Sequence, residues 1–144
     1  MLQGEYAHAG FLNAVKNIPE EIINQRPINH PYNIWQLAEH IRITQWDIIE
    51  FCTNPAHISP EWPKEYWPKQ TEAESYTQFL TSVKSFMEDR ERFINHLSDP
   101  ANDLFQPFSH GDGQNLLREA ILIIDHTAYH TGQIILLRKI FNQW

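Results

Sequence analysis

The chain carries one cysteine in 144 residues, Cys52. A single thiol closes no internal disulfide and builds no cysteine metal cluster; its ordinary use is as a small buried hydrophobe. Long apolar runs are missing too. The greasiest stretches, Ile121 to Ile124 and Ile134 to Leu137, are bounded by Asp125, Gln133 and Arg138, well short of the about 18 residues a membrane-spanning helix needs. The N-terminus, MLQGEYAH, lacks a basic segment followed by an apolar one, so no signal peptide is expected and a cytoplasmic location is. Basic charge is scarce: 11 Lys and Arg stand against 18 Asp and Glu, a formal charge of −7. With no basic run to offset it, that charge repels phosphate backbones and argues against nucleic acid as a direct partner. No segment reads as a convincing strand, and no repeat or low-complexity tract is present.

What remains is an ordinary globular composition, 42% hydrophobic and 20% charged. Its length suits a single domain over residues 1–144. Apolar spacing predicts four helical segments. The first runs from about Leu2 to Asn17, with Phe11, Leu12, Val15 and His8 on one face. Pro19, tolerated at a first helical position, opens a short extra turn with Glu20 and Glu21. The second helix starts after Asn33, a good N-cap residue, and runs to about Thr53, with Pro55 stopping it. The third is signalled by a capping box, Thr71 with Glu74, and reaches about Leu97. The fourth runs from about Gln114 to Asn142. Between the second and third lies SPEWPKEYWP, residues 59–68, stiffened by proline and rich in rings that need something to pack on. Four amphipathic helices in one domain predict an all-α four-helix bundle. Its long connecting loops can each cross the bundle, so spacing leaves the helix order open.

Eight histidines stand out. His126 and His130, four apart, share a helix face with Leu122, Ile123, Leu137, Glu119 and Gln133. Chance alone yields about 0.4 such pairs in a chain of this histidine content, and two packed core histidines would leave the same trace. Burial nevertheless demands partners for both rings, and neutral imidazole is a good ligand for zinc, nickel, copper or iron. Bundle interiors are where facing helices assemble metal sites. His40 is the candidate third ligand, between an apolar flank (Leu37, Ile41) and a polar one (Gln36, Thr44, Asp47); Asp47 or Gln36 would hold its second nitrogen. His8 is expected inward, as a packed histidine or a fourth ligand, and His30, His57, His96 and His110 are expected at the surface. Three histidines with an open position describe a catalytic-type site, since structural zinc sites close with four protein ligands.

AHAGF at 7–11, NIWQLAEHIRITQWDI at 33–48, EWPKEYWP at 61–68 and GQNLLREAILIIDHTAYHTGQIILLRK at 113–139 together resemble the DinB-like (DinB/YfiT) superfamily, in its order and over nearly the whole chain. The most specific element is one histidine on the second helix combined with H-x-x-x-H-x-G-Q on the last. The resemblance implies an up-down-down-up four-helix bundle in which His40, His126 and His130 bind a divalent metal, commonly zinc or nickel. It also implies that homodimers are common and that some relatives are transferases or isomerases dependent on low-molecular-weight thiols.

Two functional readings follow. One is a metal-dependent enzyme, a thiol S-transferase or hydrolase, with a small-molecule substrate such as a low-molecular-weight thiol. Gln133 would touch substrate or orient a ligand, Glu119 would be a general base, and Trp62, Tyr66 and Trp67 would wall the cavity or clasp the bundle shut. The other is a non-catalytic, metal-stabilised binding or stress-response protein. A second apolar stripe on the last helix, Leu117, Ile121, Ile124, Ala128 and Ile135, must be covered by loops or by a second subunit, and a homodimer is expected.

Overall fold

Residue 2 and residues 7–144 are described by the structure, a computed structural model. Every regular element among them is helical: α1 (Phe11–Val15), α2 (Glu20–Ile23), α3 (Ile34–Thr53), a 3₁₀ turn at Lys64–Tyr66, α4 (Tyr76–Ser98) and α5 (Leu116–Ile140). The chain is therefore all-α, and no described helix is long and apolar enough to cross a membrane.

The three long helices start where a side chain takes over backbone donors. Asn33 forms a reciprocal capping box with Gln36, and its amide also donates to the carbonyls of Asn24 and Thr71. Asn115 caps α5 through the Arg118 amide. At α4 the cap is Ser75, which accepts from the Gln78 amide, and not the expected box of Thr71 with Glu74. Residues 71–74 are held as a non-helical strap instead, by Asn33 at Thr71 and by Asn24 on both polar groups of Ala73. Those long-range bonds outweigh a local cap.

The first helix is shorter than its apolar spacing suggested. Residues 3–6 of that expectation lie outside the described residues. Residues 7–10 are not helical, Gly10 and Lys16 flank α1 in extended conformations, and Asn17 has a left-handed φ of 51°. What fastens α1 is Arg138 near the end of α5, whose Nη1 donates to the Ala14 and Lys16 carbonyls at 3.0 and 3.1 Å.

Cross-helix contacts fix the direction of the long helices. Glu39 meets Ser82, Gln45 meets Phe86 and Arg90, and Glu50 meets Arg92. Numbers rise together, so α3 and α4 run parallel. On α5 the order reverses: Ile134 and Leu137 pack with the start of α3, Leu116 to Ile123 with its end. A parallel pair obliges the chain to travel back the whole length of α3, about 30 Å at 1.5 Å per residue, and residues 54–75 provide that return.

The core divides in two. One apolar cluster joins α1, α2, the first halves of α3 and α4 and the end of α5; the other joins Ile48, Ile49, Cys52, Phe93, Leu116, Ala120 and Ile123. Between them runs a belt of buried polar side chains: Thr44, Gln45 and Asp47 on α3, and Thr127, His130 and Thr131 on α5. Along α5 the outward apolar stripe is only partly covered. Leu117 and Ile121 are exposed, as is Leu122 from the histidine-bearing face, while Ile124, Ala128 and Ile135 are half-buried.

Candidate metal centre

The belt is where the three candidate histidines meet. His40 lies in the first half of α3, 2% exposed. The antiparallel α5 brings His126 and His130, one turn apart, to the same level. His40 Nε2 and His126 Nε2 are 3.0 Å apart, and the ligand-type nitrogens of the three all lie within 4.8 Å of one another. The three ring centroids are 4.6 to 4.8 Å apart in edge-on pairs. Among the described residues this is the one such grouping of histidine, cysteine and carboxylate side chains.

Each ring is oriented by something specific. His40 Nδ1 lies 2.7 Å from the Tyr66 carbonyl. A carbonyl only accepts, so the proton sits on Nδ1 and Nε2 keeps its lone pair. His130 Nδ1 donates to Gln133 Oε1 at 2.6 Å, which leaves its Nε2 bare as well. Trp67 stacks on His40, centroids 3.9 Å apart and planes within 5°, and Tyr32 stacks on Trp67 in turn. The proline-rich loop therefore walls the cluster with Trp67 and fixes it with a Tyr66 backbone atom. Trp62 sits edge-on to Tyr66 and is exposed.

This corrects the expected support for His40. Asp47 does not hold its second nitrogen, and Gln36 is spent on the α3 cap. Asp47 works one step away: it accepts from Tyr66 Oη at 2.5 Å and from His57 Nε2 at 2.8 Å. His57, expected at the surface, is thereby tucked against α3, its ring edge-on to Trp46. The Asp47 carboxylate thus pins both sides of the loop whose backbone orients His40.

Protonation favours ligand behaviour. Burial pushes His40 down to about 4, against a partial rise from the Tyr66 hydrogen bond and with repulsion from His130. Burial, then the neighbouring His130 and His40, pushes His126 down to about 3. His130 is lowered too, chiefly by burial, with Gln133 opposing. All three are neutral near pH 7, the form that binds a cation.

The other candidates fall elsewhere. His8 is exposed and bonds its neighbour's carbonyl, Ala9 O, so it is neither a packed histidine nor part of the cluster. Glu119 is buried against Arg118 in the second apolar cluster's neighbourhood. Burial, and after it the Glu119 charge, raise the Cys52 thiol to about 12, which keeps it protonated and unreactive. Two residues escaped notice in the sequence: Tyr32 behind Trp67, and Tyr129, exposed and edge-on to His130. Thr44, one turn past His40, buries a hydroxyl with no protein partner among the described residues.

Two outcomes follow. Unfolded histidine titrates near 6.5, above the folded values, so between pH 6.5 and about 4 the unfolded chain binds more protons and stability rises with pH. Metal-free protein should lose melting temperature as pH falls from 6.5 through 4, and His126→Ala should flatten that slope; equal slopes in both proteins would refute the account. Asp47→Ala removes two bonds to a charged acceptor, from Tyr66 Oη and His57 Nε2, and should cost about 3 kcal/mol in urea unfolding. A loss below about 0.5 kcal/mol, the level of an ordinary surface change, would show that the loop does not depend on this carboxylate.

Comparison with curated proteins and with solved structures gives no match at significance. The DinB superfamily, in contrast, matches residues 3–134, a span that contains His40, the loop that orients it, and the His126–His130 pair. On that match, and with an all-helical fold that brings these histidines together, the chain belongs to the DinB superfamily.

Proposed function

We propose that His40, His126 and His130 hold a divalent cation, zinc or nickel, and that the protein is a metal-dependent enzyme of thiol S-transferase or hydrolase type. One observation carries the reading: three neutral imidazoles converge from two antiparallel helices, two with the outer nitrogen engaged and the inner lone pair turned toward the cluster. The 3.0 Å between His40 and His126 Nε2 is close to the about 3.3 Å separating neighbouring ligands on a tetrahedral zinc with bonds near 2.05 Å. The donor set fits the ion. Its chemistry, when bound, would be to lower the pKa of a thiol or a water at an open position.

The chain's own residues supply the rest. Tyr66 O and Gln133 set the tautomers and angles of two ligand rings. Trp67 shields one side of His40 from water. Exposed Tyr129 and half-buried Gln133, both beside His130, form the rim where a small substrate would first be met. Glu119, engaged with Arg118, receives no role in the reaction. The ligand-type grouping has three members among the described residues, whereas metals that only stabilise a fold take four, and this supports an enzyme over a metal-stabilised scaffold.

Tag-free protein should carry near-stoichiometric zinc or nickel by inductively coupled plasma mass spectrometry, and His126→Ala/His130→Ala should lose it. Metal-dependent consumption of a low-molecular-weight thiol with an electrophilic acceptor, or of an ester, should vanish in the same variant. Little metal, not restored by adding zinc or nickel, or turnover that survives in the variant, would sink the proposal.

Leu117 and Ile121, exposed on α5 in the stripe that also holds half-buried Ile124, Ala128 and Ile135, support a homodimer through that face. Light scattering at about 20 µM should give twice the chain mass; a monomer mass there would refute it.

A further inference from the structure

On the other side of α5 the polar belt meets a second feature that the metal centre does not use. A cavity of about 690 Å³ opens between the segment leading into α1, α4 and α5. None of the three clustered histidines lines it. Its walls are apolar where Phe11, Met87, Ile94 and Ile124 contribute. At its inner side is a guanidinium, Arg90. Nε of Arg90 donates to Gln45 Oε1 at 2.5 Å, and Nη2 donates to Thr127 Oγ1 at 3.1 Å. Its carbon lies 4.9 Å over the Phe86 ring.

Those partners are all neutral. Among the described residues no carboxylate pairs with Arg90, although it is partly buried and a cation withdrawn from water gains from a counter-charge. Burial lowers its pKa to about 10, which leaves it fully charged at neutral pH. The two glutamates that line the cavity, Glu88 and Glu91, are exposed at the rim, and Glu88 pairs with Lys84 at 3.3 Å. A second observation points the same way. Thr131 also lines the cavity, is 1% exposed, and has a hydroxyl with no partner among the described residues. A held cation, an unspent hydroxyl and an apolar wall in one cavity of this size are the components of a small-molecule site.

We propose that this cavity binds a small amphipathic carboxylate, its head on Arg90 and the Thr131 hydroxyl and its hydrocarbon body against Phe11, Met87, Ile94 and Ile124. Arg90 is suited to the role because its Nη1 is not used in the bonds to Gln45 and Thr127, and because those bonds fix the guanidinium plane in advance. The site is separate from the proposed metal chemistry, with α5 as the shared wall: Thr127 and Thr131 each follow a clustered histidine by one residue and so face a different direction.

The test is a titration of ¹⁵N-labelled full-length protein with sodium octanoate, 1-octanol and octylamine, read by backbone amide shifts and by calorimetry. Octanoate should move the amides of Ile124, Thr127, Ala128 and Thr131 saturably, and octylamine should not. Arg90→Met should weaken octanoate about tenfold or more while leaving 1-octanol binding unchanged. Ala128→Phe, which keeps the guanidinium but fills the cavity, should abolish both, so a misfolded Arg90 variant does not decide the matter alone. No saturable shift with octanoate at about 10 mM would overturn the proposal. So would equal binding of octanoate and 1-octanol that ignores Arg90, or preferential binding of octylamine.

Discussion

Polar side chains in the middle of a helical core must each be given a partner, and the arrangement of this protein follows from meeting that demand. Two apolar clusters would pack more cheaply if they merged. They are kept apart by a layer containing His40, Gln45, Asp47, Thr127, His130 and Thr131. Most of that layer is satisfied within the protein: Tyr66 O serves His40, Phe86 O serves Gln45, Arg90 serves Thr127 and Gln133 serves His130. Among the described residues the exceptions are two threonine hydroxyls, Thr44 and Thr131. Each lies at a place where something other than protein is proposed to sit, one beside the histidine cluster and one in the Arg90 cavity. Buried polar groups without partners are rare enough in folded proteins to require a cause.

The loop over residues 54–75 illustrates how topology and chemistry share one piece of chain. Parallel packing of α3 and α4 makes a long return path compulsory. The return path then supplies Trp67 as a wall, the Tyr66 carbonyl as the partner of His40, and His57 and Tyr66 as handles for Asp47. A short connection would have left His40 with a free Nδ1 and no stacking partner. Its ring would then have had more than one tautomer and orientation available.

The parts of this arrangement that could be read from the sequence are those written in side chains. Asn33 announces α3 because its cap is local. The His126–His130 pair is visible because four residues is a helical spacing, and His40 because it stands between an apolar flank and a polar one on its own helix. The sequence offers Asp47 or Gln36 as support for His40, whereas the partner is the Tyr66 carbonyl, a backbone group that every residue possesses and no residue type signals. His57 was placed at the surface because a loop histidine shows nothing of the carboxylate ten residues earlier that captures it. The Thr71–Glu74 box fits a capping pattern perfectly well; long-range bonds from Asn24 and Asn33 took the strap away from the helix. Nothing in the sequence singles out Arg90, since its setting depends on Phe86 and on the facing α5 rather than on its neighbours in sequence.

The distance along the chain between the cluster's members has a consequence for how the protein comes into being. His40 and Tyr66 are 26 residues apart, but His40 and His126 are separated by 86. During synthesis the chain is made from its N-terminus, so α3, its loop and α4 leave the ribosome with one of the three histidines in place and without the helix that carries the other two. Only when the last helix has emerged and docked antiparallel onto α3 do the three imidazoles meet. The cluster therefore belongs to the finished chain, and a molecule lacking α5 presents His40 without His126 and His130.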